Sequence, residues 1–207
     1  MDWRELDKLS GAEYIRQIHK LPWEEFIAES VRKNATGYVL ALYEKALETK
    51  AKTIVELGVM FGESTRSLLK AATENDGHLY SVELTSNIFL IGEILKSEGA
   101  DMPSWTPICG DDLEVAKQWT VHMDFLFIDT SHTCEQTFKE LEAYAKFVVP
   151  QGIIVMHDTY MVGTIGTCSR WVKDAINDFM KLHSEWVFED ITPPNDGWGL
   201  GLLRRKQ

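Results

Sequence analysis

At 207 residues, with 44% hydrophobic and 26% charged side chains, the chain has the composition of a soluble globular domain, neither disordered nor membrane-embedded. Its net charge of −11 disfavours a nucleic-acid partner, and the one dense basic cluster, Arg204-Arg205-Lys206, reads as a solvated tail. Apolar runs such as FLFI and GIIVM are too short to span a membrane, the start MDWRELDKLS has no secretory h-region, and three cysteines without a CxxC suggest no disulfide framework or zinc site, so a cytoplasmic location is expected.

The first fifty residues read as helices. YIRQIHKL and EEFIAESVRK carry apolar residues at spacings of three and four, separated by Pro22, and Ala35 to Thr49 places Tyr38, Val39, Leu42, Tyr43 and Leu47 on one stripe. This block, residues 1–50, is expected to pack on the same domain, either as a cap over a ligand site or as cover for one face of a sheet.

From Thr53 short apolar runs alternate with helical stretches. TIVELG, HLYSVEL, WTPIC, MDFLFIDT and GIIVMHDT read as strands, with helices over Glu63–Glu74, Asn87–Gly99, Asp111–Trp119 and Thr133–Val149. That alternation predicts a parallel sheet covered on both faces, with Pro150 and Gly152 marking the entry to the fifth strand. SEWVFEDI and GWGLGLLRR follow as strands joined through TPPND, a connection too short for a parallel crossover, so the sheet should finish in an antiparallel hairpin. Trp105, Trp119, Trp171 and Trp186 are expected in the packing, Trp198 at the hairpin as a pocket rim or a turn anchor, and YMVGTIGTCSR as a candidate lid.

Chemistry-bearing residues gather after the strands. Gly58 and Gly62, in VELGVMFGEST, flank a tight strand-to-helix turn where backbone N–H groups and a ligand can approach closely; the spacing is not the dinucleotide G-x-G-x-x-G. Glu83 ends the second strand, where doubly wound folds place an acid that accepts from a ribose diol. In CGDDLEV, Asp111 either caps a helix or accepts from an adenine amine; Asp112 could do the latter, and Asp111 is favoured.

The ordered series Glu56-x-Gly58-x-x-x-Gly62, Glu83, Gly110-Asp111 and Asp129 resembles that of class I S-adenosylmethionine-dependent methyltransferases over roughly Thr53 to Arg205. The resemblance implies a doubly wound, Rossmann-like α/β fold: a seven-stranded sheet, mostly parallel, whose seventh strand is antiparallel and inserted beside the fifth, within a methyltransferase domain over residues 51–207. It also implies S-adenosyl-L-methionine as cofactor, with Gly58 and Gly62 along the methionine moiety, Glu56 and Ser64 in the same motif, Glu83 at the ribose, Asp111 at the adenine, and Asp129.

FLFIDTSHTCEQTFKELEAYAKFVVPQGIIVMHDT is further similar to small-molecule O-methyltransferases, including cephalosporin hydroxylase-like, macrolide-sugar and catechol-type relatives. That likeness implies Asp129 and Asp158 as ligands of Mg²⁺ or another divalent cation with His157 beside them, and His132 as general base where catechol-type enzymes usually carry Lys. The implied reaction methylates a hydroxyl of a small molecule; a homo-oligomer is compatible with it. Competing readings are a nicotinamide-dependent oxidoreductase, which the glycine spacing and closing hairpin disfavour, and a catalytically silent Rossmann-like binding protein.

Overall fold

The computed structural model describes residues 13, 17–18, 20–32, 37–166, 168–194 and 196–206. Among the described residues, α1 (Trp23–Arg32), opening after Pro22, and α2 (Tyr38–Glu48) precede the sheet. Half of YIRQIHKL and the start of the segment expected from Ala35 lie outside the described residues.

The expected alternation follows: β1 (Thr53–Leu57), α3 (Glu63–Glu74), β2 (His78–Glu83), α4 (Asn87–Ser97), β3 (Trp105–Cys109), α5 (Asp112–Gln118), β4 (Met123–Ile128), α6 (Cys134–Tyr144) and β5 (Val148–His157). The chain then forms α7 (Val172–Leu182), β6 (Trp186–Asp190) and β7 (Leu200–Arg205). Helix α7 lies outside the segments read from the sequence; its signal is Val172, Ala175, Ile176 and Phe179, buried at spacings of three and four. One seven-stranded sheet results, in the order β3-β2-β1-β4-β5-β7-β6. Strands β1 to β5 pair in parallel, and β7 runs antiparallel between β5 and β6.

Side chains along a strand alternate between faces, and both faces here are covered, which is why the central strands read as continuous apolar runs. Ile54, Phe125, Phe127, Ile153 and Val155 face one core with Val39 and Leu42 of α2, Leu68 of α3 and Ile91 of α4. Val55, Leu57, Leu126, Ile128, Ile154 and Met156 face the other with Leu141 of α6 and Ile176 and Phe179 of α7. The N-terminal block thus contributes to the first core. Trp105, Trp119, Trp171 and Trp186 are all buried. Among the described residues no helix is long and apolar enough to cross a membrane.

Two features differ from expectation. Pro150 and Gly152 do not precede β5 but lie inside it. Val148 pairs with Met123 and Ile153 with Phe125, so the intervening residues bulge opposite Asp124, where a missing proline N–H costs no ladder bond. Arg205 is also no tail residue. Its guanidinium donates to the carbonyls of Val148 and Val149, each at 2.8 Å, and lies 4.3 Å from the Trp186 ring centroid. A planar fork of N–H donors thereby satisfies carbonyls that the bulge leaves without partners.

Strand order reverses between β1 and β4, and a crevice opens there beyond their carboxyl ends. At this seam Asp129 N–H donates to the Leu57 carbonyl at 2.9 Å. Gly58 has a φ of +88°, and a Cβ on it would lie 2.0 Å from the Asp129 carbonyl oxygen. The following loop is anchored from beneath by Glu56, which is fully buried. Glu56 accepts from the hydroxyls of Ser64 (2.6 Å), Thr65 (2.8 Å) and Ser81 (2.6 Å), and Trp105 Nε1 donates to Ser81 Oγ at 2.9 Å. Burial outweighs these donors and lifts the Glu56 carboxyl to about 7.

Two predictions follow from the seam and its anchor. Gly58→Ala combines left-handed strain with a backbone clash and should cost roughly 2–5 kcal/mol in urea unfolding. Gly99→Ala, also at positive φ but with open space around it, should cost only about 1–2 kcal/mol; equal losses would remove the seam from the explanation. For Glu56, the unfolded chain releases the proton near 4.5 and the folded chain near 7, so this group lowers stability as pH rises through that interval, by about 3 kcal/mol in all. Glu56→Gln should flatten the wild-type fall in urea midpoint between pH 4.5 and 7; parallel curves would contradict the shifted carboxyl.

Candidate active site

The loop from Gly58 to Gly62 forms the floor of the crevice. Gly62 (φ +80°) precedes α3 directly, and a Cβ there would meet Ile91 Cγ2 at 2.5 Å, so the turn packs against α4. Glu83, at the end of β2, holds the loop from the side. Its Oε2 accepts from Val59 N (3.1 Å) and Met60 N (3.2 Å), and its Oε1 from the N–H and hydroxyl of Thr85, both at 3.0 Å. Burial opposes the Glu83 charge, but these donors outweigh it and lower its pKa. Asp111 caps α5 by accepting from Leu113 N (2.9 Å) and Glu114 N (3.1 Å) through Oδ1 alone. Neighbouring Asp112 receives Gln136 Nε2 at 3.0 Å.

Past β4 and β5 the structure brings together Asp129, His132, His157 and Asp158. His132 bridges the two acids, with Nε2 3.3 Å from Asp129 Oδ1 and Nδ1 3.2 Å from Asp158 Oδ2. His157 lies behind them, its Nδ1 3.7 Å from Asp129 Oδ2 and 3.4 Å from Asp158 Oδ2, and its Nε2 3.2 Å from Asp196 Oδ2. The His132 side chain is 36% exposed and that of His157 only 7%, so His132 is the imidazole a second substrate can reach. His132 and Asp158 both hold a left-handed backbone, at φ 60° and 59°. For residues with a Cβ this costs about 1–2 kcal/mol each, strain that clusters where geometry serves a reaction.

The electrostatics follow from the pairing. Burial opposes the Asp129 charge, yet His132 and His157 hold its carboxyl down to about 2. Burial opposes the His157 proton as well, yet Asp129, Asp158 and Asp196 hold it up to about 11. The hydrogen bond with Asp129 raises the pKa of His132 against a smaller desolvation.

One donor atom each from Asp129, His132 and Asp158 lies within 4.8 Å of the others, a spacing that could hold a metal ion. His132, expected as a base, therefore stands in the cation-capable group, whereas His157, expected beside the metal, turns its Nε2 to Asp196 and keeps its proton. A cleft of about 820 Å³ between α6 and α7 is lined by Thr133, Cys134 and Arg170 and by none of these four residues.

Two contributors escaped the sequence reading. Tyr38, seen there only as part of a helical stripe, lies 4.0 Å ring to ring from His157, and its hydroxyl is 3.5 Å from Asp129 Oδ2. Asp196 accepts from Trp198 N (2.7 Å) and Gly199 N (3.2 Å) while facing His157. The N-D-G in the hairpin signals such a turn but not its distant histidine partner. The segment after Asp158 is tied down by Tyr160 N to the Trp198 carbonyl (2.8 Å) and Trp171 Nε1 to the Gly163 carbonyl (3.0 Å), and it exposes Val162 and Ile165, as the hairpin exposes Trp198.

Comparison with known proteins supplies the family. The chain is 25% identical over 126 residues to O-methyltransferase hkm8 of Aspergillus hancockii; the match covers 61% of this chain and 47% of hkm8, so the chain spans about half the length of that relative. In fold it is similar to the O-methyltransferase TomG of Streptomyces achromogenes, involved in tomaymycin synthesis and solved with SAM (TM-score 0.65, 15% identity, covering 86% of this chain and 90% of TomG). It is also similar to the O-methyltransferase of Bacillus cereus solved with SAH (TM-score 0.69, 15% identity, covering 97% and 100%). A methyltransferase-domain family matches residues 55–159, just over half of the chain and the whole stretch from the glycine loop to Asp158 and Thr159. With the sheet order, the seam at Gly58 and this match in agreement, the chain belongs to the methyltransferase-domain family.

Proposed function

We propose that the protein transfers the methyl group of S-adenosylmethionine to a hydroxyl of a small molecule, with residues 51–207 as the catalytic unit and the preceding helices as its cap. The observation that carries this reading is His132, reachable from solvent and held between Asp129 and Asp158 at the strand ends beside the Gly58–Gly62 loop.

The crevice fits the cofactor. The loop glycines leave backbone where side chains would obstruct a ligand, and the start of α3 offers N–H groups and a positive dipole end to the methionine carboxylate. Glu56 and Ser64 act by holding the loop. Glu83 receives the ribose diol, with the rotatable Thr85 hydroxyl giving way, and Asp111 offers its second oxygen to the adenine amine. The sulfonium supplies an activated methyl group.

His132 takes the proton from the acceptor hydroxyl as the oxygen–methyl bond forms and the sulfur–methyl bond breaks. The imidazolium that results already faces two carboxylates, so its charge is stabilised without rearrangement. Val162, Ile165 and Trp198 give the acceptor an apolar rim, and the net charge of −11 disfavours a polyanionic substrate. The name of the hkm8 relative supports oxygen as the methylated atom.

A second reading rests on the converging donor atoms: Asp129, His132 and Asp158 would hold a divalent cation, which would supply Lewis-acid activation of the hydroxyl. Product assays with small hydroxylated acceptors test both readings. His132→Ala should lower kcat by about 10²–10⁴-fold while leaving S-adenosylhomocysteine affinity unchanged. Undiminished turnover would remove His132 as base. Loss of activity in a chelator, with recovery on adding Mg²⁺ or Mn²⁺, would select the metal-assisted route; insensitivity to chelator would exclude it. Binding of NAD in place of S-adenosylhomocysteine would point instead to an oxidoreductase.

A further inference from the structure

We infer that Glu63 is the counter-ion for the ammonium group of the cofactor's methionine end, an assignment that rests on the methyltransferase reading above. Glu63 is the first residue of α3, between Gly62 and Ser64. Its Oε1 is shielded from solvent and, among the described residues, has no hydrogen-bond partner. An acid in this position leaves buried acceptor capacity unused, at a cost comparable to a lost hydrogen bond, unless a donor arrives from outside.

The neighbouring acids have spent theirs. Asp129 faces His132 through Oδ1, and His157 and the Tyr38 hydroxyl through Oδ2. Glu56 accepts three hydroxyls, and Glu83 accepts two N–H groups of the glycine loop and both donors of Thr85, of which only the Thr85 hydroxyl yields to the ribose. Glu63 stands at the crevice end of its helix, and its charge adds to those of Asp129, Glu56 and Asp158 in raising the pKa of the buried Tyr38 hydroxyl, which burial raises most. Burial alone holds the Glu63 carboxyl up to about 7, and a cation placed against it would favour the ionised form.

The chemistry of the ligand matches this layout. A methionine end is a zwitterion. Its carboxylate suits the N–H groups opening α3, and its ammonium needs an anionic acceptor within a few ångströms of them. Glu63 provides that acceptor from the same turn of helix.

Calorimetric titration of the wild type and Glu63→Gln with two ligands tests the assignment. S-adenosylhomocysteine carries the amino acid end, and 5′-methylthioadenosine lacks it. Glu63→Gln should weaken S-adenosylhomocysteine by about 10–100-fold and leave 5′-methylthioadenosine unchanged. Unchanged affinity for S-adenosylhomocysteine, or equal weakening of both ligands, would overturn it. An analogue of S-adenosylhomocysteine with hydrogen in place of the ammonium gives a check that needs no variant: the wild type should lose a similar factor towards it, and undiminished affinity would overturn the assignment. If the wild type binds 5′-methylthioadenosine and S-adenosylhomocysteine, failure of the Glu63 effect removes this assignment alone; if it binds neither, the methyltransferase reading falls and the assignment with it.

Discussion

The contact between Gly58 and the Asp129 carbonyl decides where everything else can sit. A parallel sheet that reverses its strand order opens a crevice between the two strands at the reversal, here β1 and β4. The loop leaving β1 can turn into that crevice only if nothing projects from its first residue, because a Cβ would coincide with backbone of the neighbouring strand. Once the turn is made, α3 points its N-terminus at the crevice, and Glu56 and Glu83 hold the loop from beneath and beside. The residue that Gly58 packs against is also the first acid of the Asp129–His132–Asp158 cluster, so the glycine loop and the proposed reaction centre are held in register by one backbone contact.

The charge arrangement is set by burial. Two carboxylates at adjacent strand ends would repel each other in a low-dielectric site, and the fold answers with two imidazoles. The two have different environments. His157, enclosed and facing three acids, has its pKa held up by them and in turn helps hold that of Asp129 down, each against the opposing effect of burial. His132, partly open, is the imidazole to which the proposed reaction assigns the proton transfer. Their division of labour follows from exposure alone.

Much of this was legible in the sequence because it is local or periodic. The β1-to-β5 alternation, the closing hairpin, the loop glycines, and Glu83, Asp111 and Asp129 stand at fixed offsets from strand ends, and each appears where its strand led. What was not legible depends on contacts between residues far apart in the chain. Asp196 reaches His157 across 39 positions, and Tyr38 reaches Asp129 across 91. Nor does sequence order reveal that His132, three residues after Asp129, turns back through a left-handed conformation to bridge both acids while the adjacent His157–Asp158 pair splits its duties. The β5 bulge was misread for a similar reason: Pro150 and Gly152 look like punctuation, and only pairing with Met123 and Phe125 shows a strand passing through them. Arg205 is explained by the same bulge, whose carbonyls it serves.

The most direct test is a crystal structure of the protein grown with S-adenosylhomocysteine. The ligand should lie across the ends of β1 and β4, with its sulfur between the Gly58–Gly62 loop and the His132 imidazole and its adenine towards Asp111. Density for the ligand anywhere outside that crevice, or a sulfur remote from His132, would contradict the assignment of loop, acids and imidazole to one methyl-transfer site.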